Sequence, residues 1–270
     1  MERLNTTVGI IGAGSMGGSI ARGLIESAMV SAQDVWVADP DARCTDALAS
    51  IGASVAKNAT DLVAQRTEVV ILAVKPQVLE SVVRPMAGEL RGRLVVSIAA
   101  GIPVATLESW LPGASVVRVM PNLPIQVLSG ATAVTAGKDA TDEQVELVRR
   151  LFAALGSAQV MREDQLDAEG AVVSCGPAFI ALFVDAFTRA GVRAGLPAGA
   201  CREMFLTTTL GVAKTLLESG EHPRAYMERV TSPGGTTAAG LEALEPLLME
   251  GAYAAVDGAL ARTRELAGGK

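Results

Sequence analysis

Along the first 160 positions the apolar residues fall into two periods. Short, largely apolar runs at residues 8–11 (VGII), Val35–Ala38, Val69–Val74, Leu94–Ile98 and Ser115–Met120 are separated by stretches with helical spacing. A run that is apolar throughout, without alternation, is what a strand covered on both faces of a parallel sheet requires. After about Met161 the pattern changes: no β-branched strand run recurs, and helices are predicted over Gln165–Ala190, Ala198–Ser219, Pro223–Val230 and Thr237–Leu266. The chain therefore reads as two domains, an α/β domain over 1–161 and an all-helical domain over 162–270. Within the latter, Ala178, Phe179, Ala181, Leu182, Phe183, Val184, Ala186 and Phe187 make one helix apolar around most of its circumference. So wide an apolar surface exceeds what a small helical domain covers by itself, which predicts an obligate homodimer formed by the second half.

Composition narrows the partners. Half of the 270 residues are hydrophobic but only 3% are aromatic, so the core must be built from Ala, Val and Leu. A net charge of −6 without a basic cluster argues against nucleic acid or an anionic membrane surface. Gly, Pro and charged residues are expected to break the longest apolar segments short of a membrane span, and the polar start (Glu2, Arg3, Asn5) leads straight into the first strand without a signal-like segment. Cys44, Cys175 and Cys201 show no paired spacing, which fits a reducing cytoplasm. With a single histidine and no His/Cys cluster, no metal site is expected.

Candidate chemistry sits at both ends. The first strand runs into Gly12, Gly14 and Gly17, a GxGxxG pattern followed by a helix of small and apolar residues. In that context the first glycine permits a tight turn, the second lets backbone approach a pyrophosphate, and the third lets helix pack on strand. The second strand ends at Asp39, which can accept hydrogen bonds from a ribose 2′-hydroxyl and favours NADH; Arg43 nearby could receive a 2′-phosphate and keeps NADPH open. Two later strands end in small residues, at Ala73-Val74-Lys75 and Ala99-Ala100-Gly101, where a nucleotide could pass the carboxyl edge of the sheet. The turn Pro121-Asn122-Leu123-Pro124 is expected at the sheet's edge near the nicotinamide. At the far end, Val230-Thr-Ser-Pro-Gly-Gly-Thr-Thr237 joins glycines and hydroxyls to the start of an apolar helix (Ala238, Leu241, Leu244), a loop suited to a small anion such as a carboxylate. His222, followed by Pro223, reads as a surface residue at a helix start.

With these residues in view, the chain resembles the pyrroline-5-carboxylate reductases along essentially its full length. The resemblance rests on GAGSMG at 12–17, AVKPQ at 73–77, SIAAG at 97–101, RVMPNLP at 118–124, CGPAF at 175–179 and, above all, VTSPGGTTAAGLEAL at 230–244. It implies a Rossmann-type dinucleotide-binding domain followed by an all-helical dimerisation domain with interlocking helices, and sometimes larger rings. It also implies active sites lying between one subunit's nucleotide domain and the helical domains. Carried over by position, coenzyme contacts would come from Gly12, Ala13, Gly14, Ser15, Met16, Gly17, Asn58, Ala73, Val74, Lys75, Ala99, Ala100 and Gly101. Substrate contacts would come from Glu163, Ser232, Gly234, Gly235, Thr236 and Thr237. Two departures stand out. Ser15 replaces a common Asn, and Ser174-Cys175-Gly176-Pro177 replaces Gly-Ser-Gly-Pro.

The implied reaction is NADPH- or NADH-dependent reduction of the C=N bond of 1-pyrroline-5-carboxylate to L-proline, the last step of proline biosynthesis. Thr237, directly or through water, is the candidate to protonate the ring nitrogen. Two alternatives remain: reduction of another cyclic imine carboxylate, and a non-catalytic NAD(P)-sensing dimer. A β-hydroxyacid dehydrogenase would need a lysine early in the helical domain, and the chain has none between Lys138 and Lys214.

Overall fold

The structure, a computed structural model, describes residues 3–65 and 67–268. Strands β1 (Val8–Ile11), β2 (Val35–Ala38), β3 (Ser54–Val55), β4 (Val69–Leu72), β5 (Leu94–Ser97), β6 (Ser115–Pro121), β7 (Gly130–Ala136) and β8 (Gly156–Val160) form one sheet in the order β3-β2-β1-β4-β5-β6-β7-β8. Pairing is parallel from β3 to β6, turns antiparallel between β6 and β7, and is parallel again between β7 and β8. The connecting helices are α1 (Ser15–Glu26), α2 (Ala42–Ala49), α3 (Ala59–Ala64), α4 (Pro76–Val83), α5 (Val104–Trp110) and α6 (Asp142–Ala153).

The apolar strands divide their side chains between two cores, because successive residues of a strand point to opposite faces. Val8, Ile10, Val69, Ile71, Leu94, Val96, Val117 and Val119 pack with Ile20 and Leu24 of α1 and with Val148, Leu151 and Phe152 of α6. Ile11, Val70, Leu72, Val95 and Val116 pack on the other side with Leu62 of α3, Leu79 and Val83 of α4, and Leu107 of α5. Both faces are thereby covered, as a doubly wound sheet demands. The sequence pattern gave no signal for β3, β7 or β8. Their residues (SV, GATAVTA, GSAQV) are small or polar and half-exposed in places, so they carry little of the apolar signature that marks β1, β4 and β5.

The chain divides into two compact units, the second being Cys175–Ala261. Before it lie a 3-10 turn at Glu163–Gln165, helix α7 (Leu166–Glu169) and a π-helical turn at Gly170–Ser174. The second unit is helical: α8 (Gly176–Arg193), α9 (Ala198–Ser219), α10 (Pro223–Arg229) and the greater part of α11, which starts at Thr236 and continues to Gly268 through Pro246. Where one helix was expected over Gln165–Ala190, the wide π turn divides it, and α8 starts afresh with Pro177 in its first turn, where a missing N–H does no harm. The same stretch corrects a second expectation. Despite Gly170, Gly176 and Pro177, Glu163–Arg193 taken as a whole is long and apolar enough by length and composition to cross a membrane.

The second unit is held by the α8–α9 pair, where Phe187 stacks on Phe205 with ring centroids 4.7 Å apart and Phe183 leans on both. Few of its side chains are buried, and large apolar residues stand open to solvent, among them Leu182, Met204, Leu210, Leu247 and Tyr253. Leu217 is 86% exposed.

Candidate coenzyme edge and anion loop

The carboxyl ends of β1, β2, β4 and β5 gather most of the expected coenzyme residues. Gly12 N donates to Ala38 O at 2.8 Å, Ala73 N to Ile11 O at 2.8 Å, and Ile98 N to Leu72 O at 3.2 Å, which places the glycine loop beside Ala73 and the end of β5. Gly12 sits at φ +97°, and a Cβ there would lie 2.7 Å from Ala73 O. Gly17 packs so closely that a Cβ would run into the Gly12 carbonyl. Gly14, by contrast, has open space where its Cβ would be, and it caps α1 with no side chain satisfying the first N–H groups. An open glycine over an uncapped helix N-terminus is a cradle for a pyrophosphate, so these residues fit a dinucleotide. Ala99 is buried, while Lys75, Ala100 and Gly101 are exposed along the same edge, Gly101 at φ +74°.

Asp39 follows β2 and is tied into this loop. Its Oδ2 accepts from Ala13 N at 2.7 Å and its Oδ1 from Asp41 N at 2.8 Å. The carboxylate is thus fixed beside the glycine turn, and each oxygen keeps lone-pair capacity for a further donor. Arg43 points elsewhere: its Nε and Nη2 grip Asp41 at 3.0 and 2.7 Å. That fork holds the Asp41 carboxyl below its ordinary range and lifts the Arg43 guanidinium above its own. Asn58 caps α3, its Oδ1 accepting from Asp61 N at 2.9 Å.

Glu163 lies at the other end of the sheet's edge. Its Oε1 accepts from Val104 N at 2.7 Å and from Arg118 Nη1 at 3.0 Å, so it joins the start of α5 to a buried arginine of β6. Close by, Asn122 at the end of β6 donates from Nδ2 to Val173 O at 3.2 Å, while its Oδ1 accepts from Ala131 N at 2.8 Å. The expected turn at Pro121–Pro124 is therefore the crossover from β6 to β7, continuing as a 3-10 helix over Leu123–Val127.

In the second unit, Ser232-Pro233-Gly234-Gly235 closes with Gly235 N donating to Ser232 O at 3.0 Å and Gly234 at φ +69°, the pattern of a type II turn. Pro presets the first central position and glycine alone takes the second without strain. The turn delivers the chain directly into α11 at Thr236, and Ser232, Gly234, Thr236 and Thr237 are all exposed. The structure thus brings the loop residues together, as it does the coenzyme edge, each within its own unit. His222 caps α10, its Nδ1 accepting from Arg224 N at 3.2 Å.

Comparison with known proteins bears on both halves. A family model described as pyrroline-5-carboxylate reductase dimerisation matches residues 163–266, and one described as NADP oxidoreductase coenzyme F420-dependent matches 7–101. A pyrroline-5-carboxylate reductase of Synechocystis is 35% identical over 264 residues, covering 97% of this chain and 99% of that protein. The chain belongs to the pyrroline-5-carboxylate reductase family. Among solved structures, a family member from Coxiella burnetii superposes with a TM-score of 0.92 at 30% identity, covering 97% of this chain and 99% of the other. A Plasmodium falciparum pyrroline carboxylate reductase with NADP bound gives 0.85 at 25% identity, covering 98% and 100%. The helical half of this reductase-family chain is accordingly a dimerisation domain, which gives the open apolar faces of α8, α9 and α11 a destination in a homo-oligomer.

Two features of this member escaped the sequence reading. Arg118 is a buried cation inside a strand, and Glu169 is a buried acid in the helical stretch before the second unit. Both were visible as charges inside apolar runs, Arg118 between Val117 and Val119 and Glu169 between Leu166 and Val173. Cys175, where the resemblance suggested a serine, is half-buried like Cys44, Cys201 is buried, and all three are free.

Proposed function

We infer that the protein reduces 1-pyrroline-5-carboxylate to L-proline at the expense of NADPH or NADH, completing proline biosynthesis. The observation that carries the reading is the presence, in one chain of this family, of an open glycine cradle under an uncapped helix and a type II anion turn opening a second helix. Gly12, Ala13, Gly14, Ser15, Met16 and Gly17 hold the pyrophosphate through backbone N–H groups, with Ala73, Val74, Lys75, Ala99, Ala100 and Gly101 lining the strand ends and Asn58 shaping the start of α3. Asp39, fixed by Ala13 and Asp41, takes the adenine ribose. Arg43 reaches a 2′-phosphate only by releasing Asp41. When bound, the coenzyme supplies a hydride to the C=N carbon.

The rest falls to the chain. Ser232, Gly234, Gly235, Thr236 and Thr237 receive the substrate carboxylate, and Glu163, held by Val104 N and Arg118, is the candidate substrate contact of the first unit. Fixing the carboxylate presents one ring face and converts a bimolecular encounter into an oriented one. Thr237 hydrogen-bonds the ring nitrogen, the atom that must gain a proton. The functional division falls at 161/162, with 162–270 as dimerisation and substrate domain. The working form is a homodimer or a larger homo-oligomer in the cytoplasm, where three free thiols persist. Neither nucleic acid nor membrane is needed as a partner. The test is direct: protein mixed with NADPH or NADH and racemic pyrroline-5-carboxylate consumes the nicotinamide absorbance and yields L-proline. Failure to consume either coenzyme overturns the reading.

A further inference from the structure

Among the described residues two charged side chains are buried, Arg118 and Glu169. Arg118 has its counter-ion in Glu163. Glu169 is only 7% exposed, its Oε2 takes a long 3.4 Å hydrogen bond from Ser174 Oγ, and its Oε1 has no partner among the described residues. A carboxylate so placed is poorly compensated, and burial pushes its pKa up to about 7, against a smaller downward pull from the Ser174 hydroxyl. The ionisable groups on its own helix and on the elements packed around it are Asp167 on α7, Glu163 and Asp164 on the 3-10 turn and Arg118 on β6, the last engaged with Glu163. An apolar side chain would fill this position without that desolvation cost, so packing gives no reason for an acid.

Its position does. Glu169 opens into the π turn Gly170–Ser174, and π turns inside helices concentrate at functional sites. That turn is bound to the carboxyl end of β6: Asn122 Nδ2 donates to Val173 O, and a Cβ on Gly170 would lie 3.2 Å from Met120 Sδ. The carboxyl ends of the strands are the edge along which an open α/β sheet receives its ligand. Ser174 is half-buried, and its hydroxyl is the group that donates to the acid.

We propose that Glu169 and Ser174 form the proton-supplying pair of the reduction, Glu169 holding the proton and the Ser174 hydroxyl passing it outward, directly or through one water, toward the ring nitrogen. This rests on the imine-reductase reading above. The C=N carbon gains the hydride and its two electrons, the π pair moves to nitrogen, and nitrogen takes a proton from the Ser174 hydroxyl as that hydroxyl takes one from Glu169. The resulting carboxylate is reprotonated from water. Glu169 is a positioning residue for the proton, acting through Ser174.

Two experiments separate this proposal from the reductase reading. In coenzyme-free protein, difference infrared spectroscopy across pH shows a protonated-carboxyl band that titrates near 7 in the wild type and is missing in Glu169→Gln; absence of the band from the wild type overturns the proposal. In the assay, wild-type kcat falls on the alkaline side. Glu169→Gln flattens that limb and lowers kcat at neutral pH by about tenfold or more, with KM for both substrates little changed. Ser174→Ala, which removes the relay, lowers kcat and flattens the same limb, while the carboxyl band of the coenzyme-free variant titrates at higher pH because the hydrogen bond that lowers the acid's pKa is gone. A Glu169→Gln enzyme with the wild-type pH profile overturns the proton role while leaving the reductase reading intact, whereas a wild type inactive at every pH overturns the reading itself.

Discussion

The two units solve burial differently. In the first, residues alternate between two closed cores, and side chains as large as Phe152, Ile10 and Leu107 are fully covered by the same chain. In the second, Val184, Thr188 and Cys201 are the buried residues among those described, the aromatic trio of α8 and α9 is half-buried, and leucines as exposed as Leu210 at 70% remain uncovered. A unit with a closed core is a fold in its own right, whereas one with open apolar helices is half of an interface. The coenzyme edge rests on the self-sufficient unit and the anion turn on the dependent one. Coenzyme binding should therefore outlast dissociation of the oligomer, and turnover should not.

The largest expected effect comes from attacking that asymmetry. Leu210→Asp together with Leu217→Asp places charges on the uncovered face, and sedimentation should then show a monomer that still binds coenzyme but has lost about two orders of magnitude or more of its reductase activity. Retention of the oligomer with full activity would remove those residues from the interface. The mirror experiment, Phe152→Ala, hollows the closed core and should cost about 3–5 kcal/mol in denaturant unfolding of the first unit, with little effect on association. Equal destabilisation of both units would mean that they share a core.

Next comes a pH effect confined to the first unit. The folded pKa of Glu169, about 7, stands above that of an unfolded glutamate, so the folded state binds the extra proton. Its contribution is fully present at pH values below the unfolded pKa and is lost as pH rises through about 7. Glu169→Gln should therefore unfold at higher denaturant than the wild type at pH 8, by roughly 1–3 kcal/mol, and show a smaller difference at pH 5. A constant difference would show that the acid does not titrate there. Smaller in energy, Thr237→Ala should lower turnover by at least about tenfold, or roughly 1.4 kcal/mol of barrier, without loss of coenzyme affinity. Last, Asp39→Ser should weaken NADH binding by about tenfold and narrow its difference from NADPH, measured by titrating nicotinamide fluorescence. An unchanged ratio would take Asp39 out of ribose recognition.

The same asymmetry governs what could be read from the sequence. The strands of the closed core announced themselves because both faces are covered and nearly every residue is apolar, and GxGxxG was legible because backbone geometry dictates glycine there. The strands β7 and β8 did not, since Gly130–Ala136 and Gly156–Val160 are built of small and polar residues whose pairing is fixed by neighbours rather than by their own pattern. The π turn was equally invisible, because Gly170–Ser174 keeps a helical apolar spacing and differs only in its hydrogen bonding. In the site, Asp39 and the turn at 232–235 stood out as residue types whose chemistry is local. Arg43 did not give away its partner Asp41, nor Glu163 its bond to Arg118, since such pairings depend on rotamers and on long-range packing.

The central claim is that the turn at Ser232–Gly235 and the start of α11 grip the carboxylate of a ring whose C=N bond is reduced by a coenzyme lying on the glycine cradle. Its most direct test is a crystal structure of the oligomer with coenzyme and a saturated five-membered-ring carboxylate. The account predicts the carboxylate on the backbone N–H groups of Gly234 to Thr237, the ring nitrogen or its replacement near Thr237, and the pyrophosphate over Gly14. A ring carboxylate bound away from that turn, or a coenzyme bound away from Gly14, would contradict it.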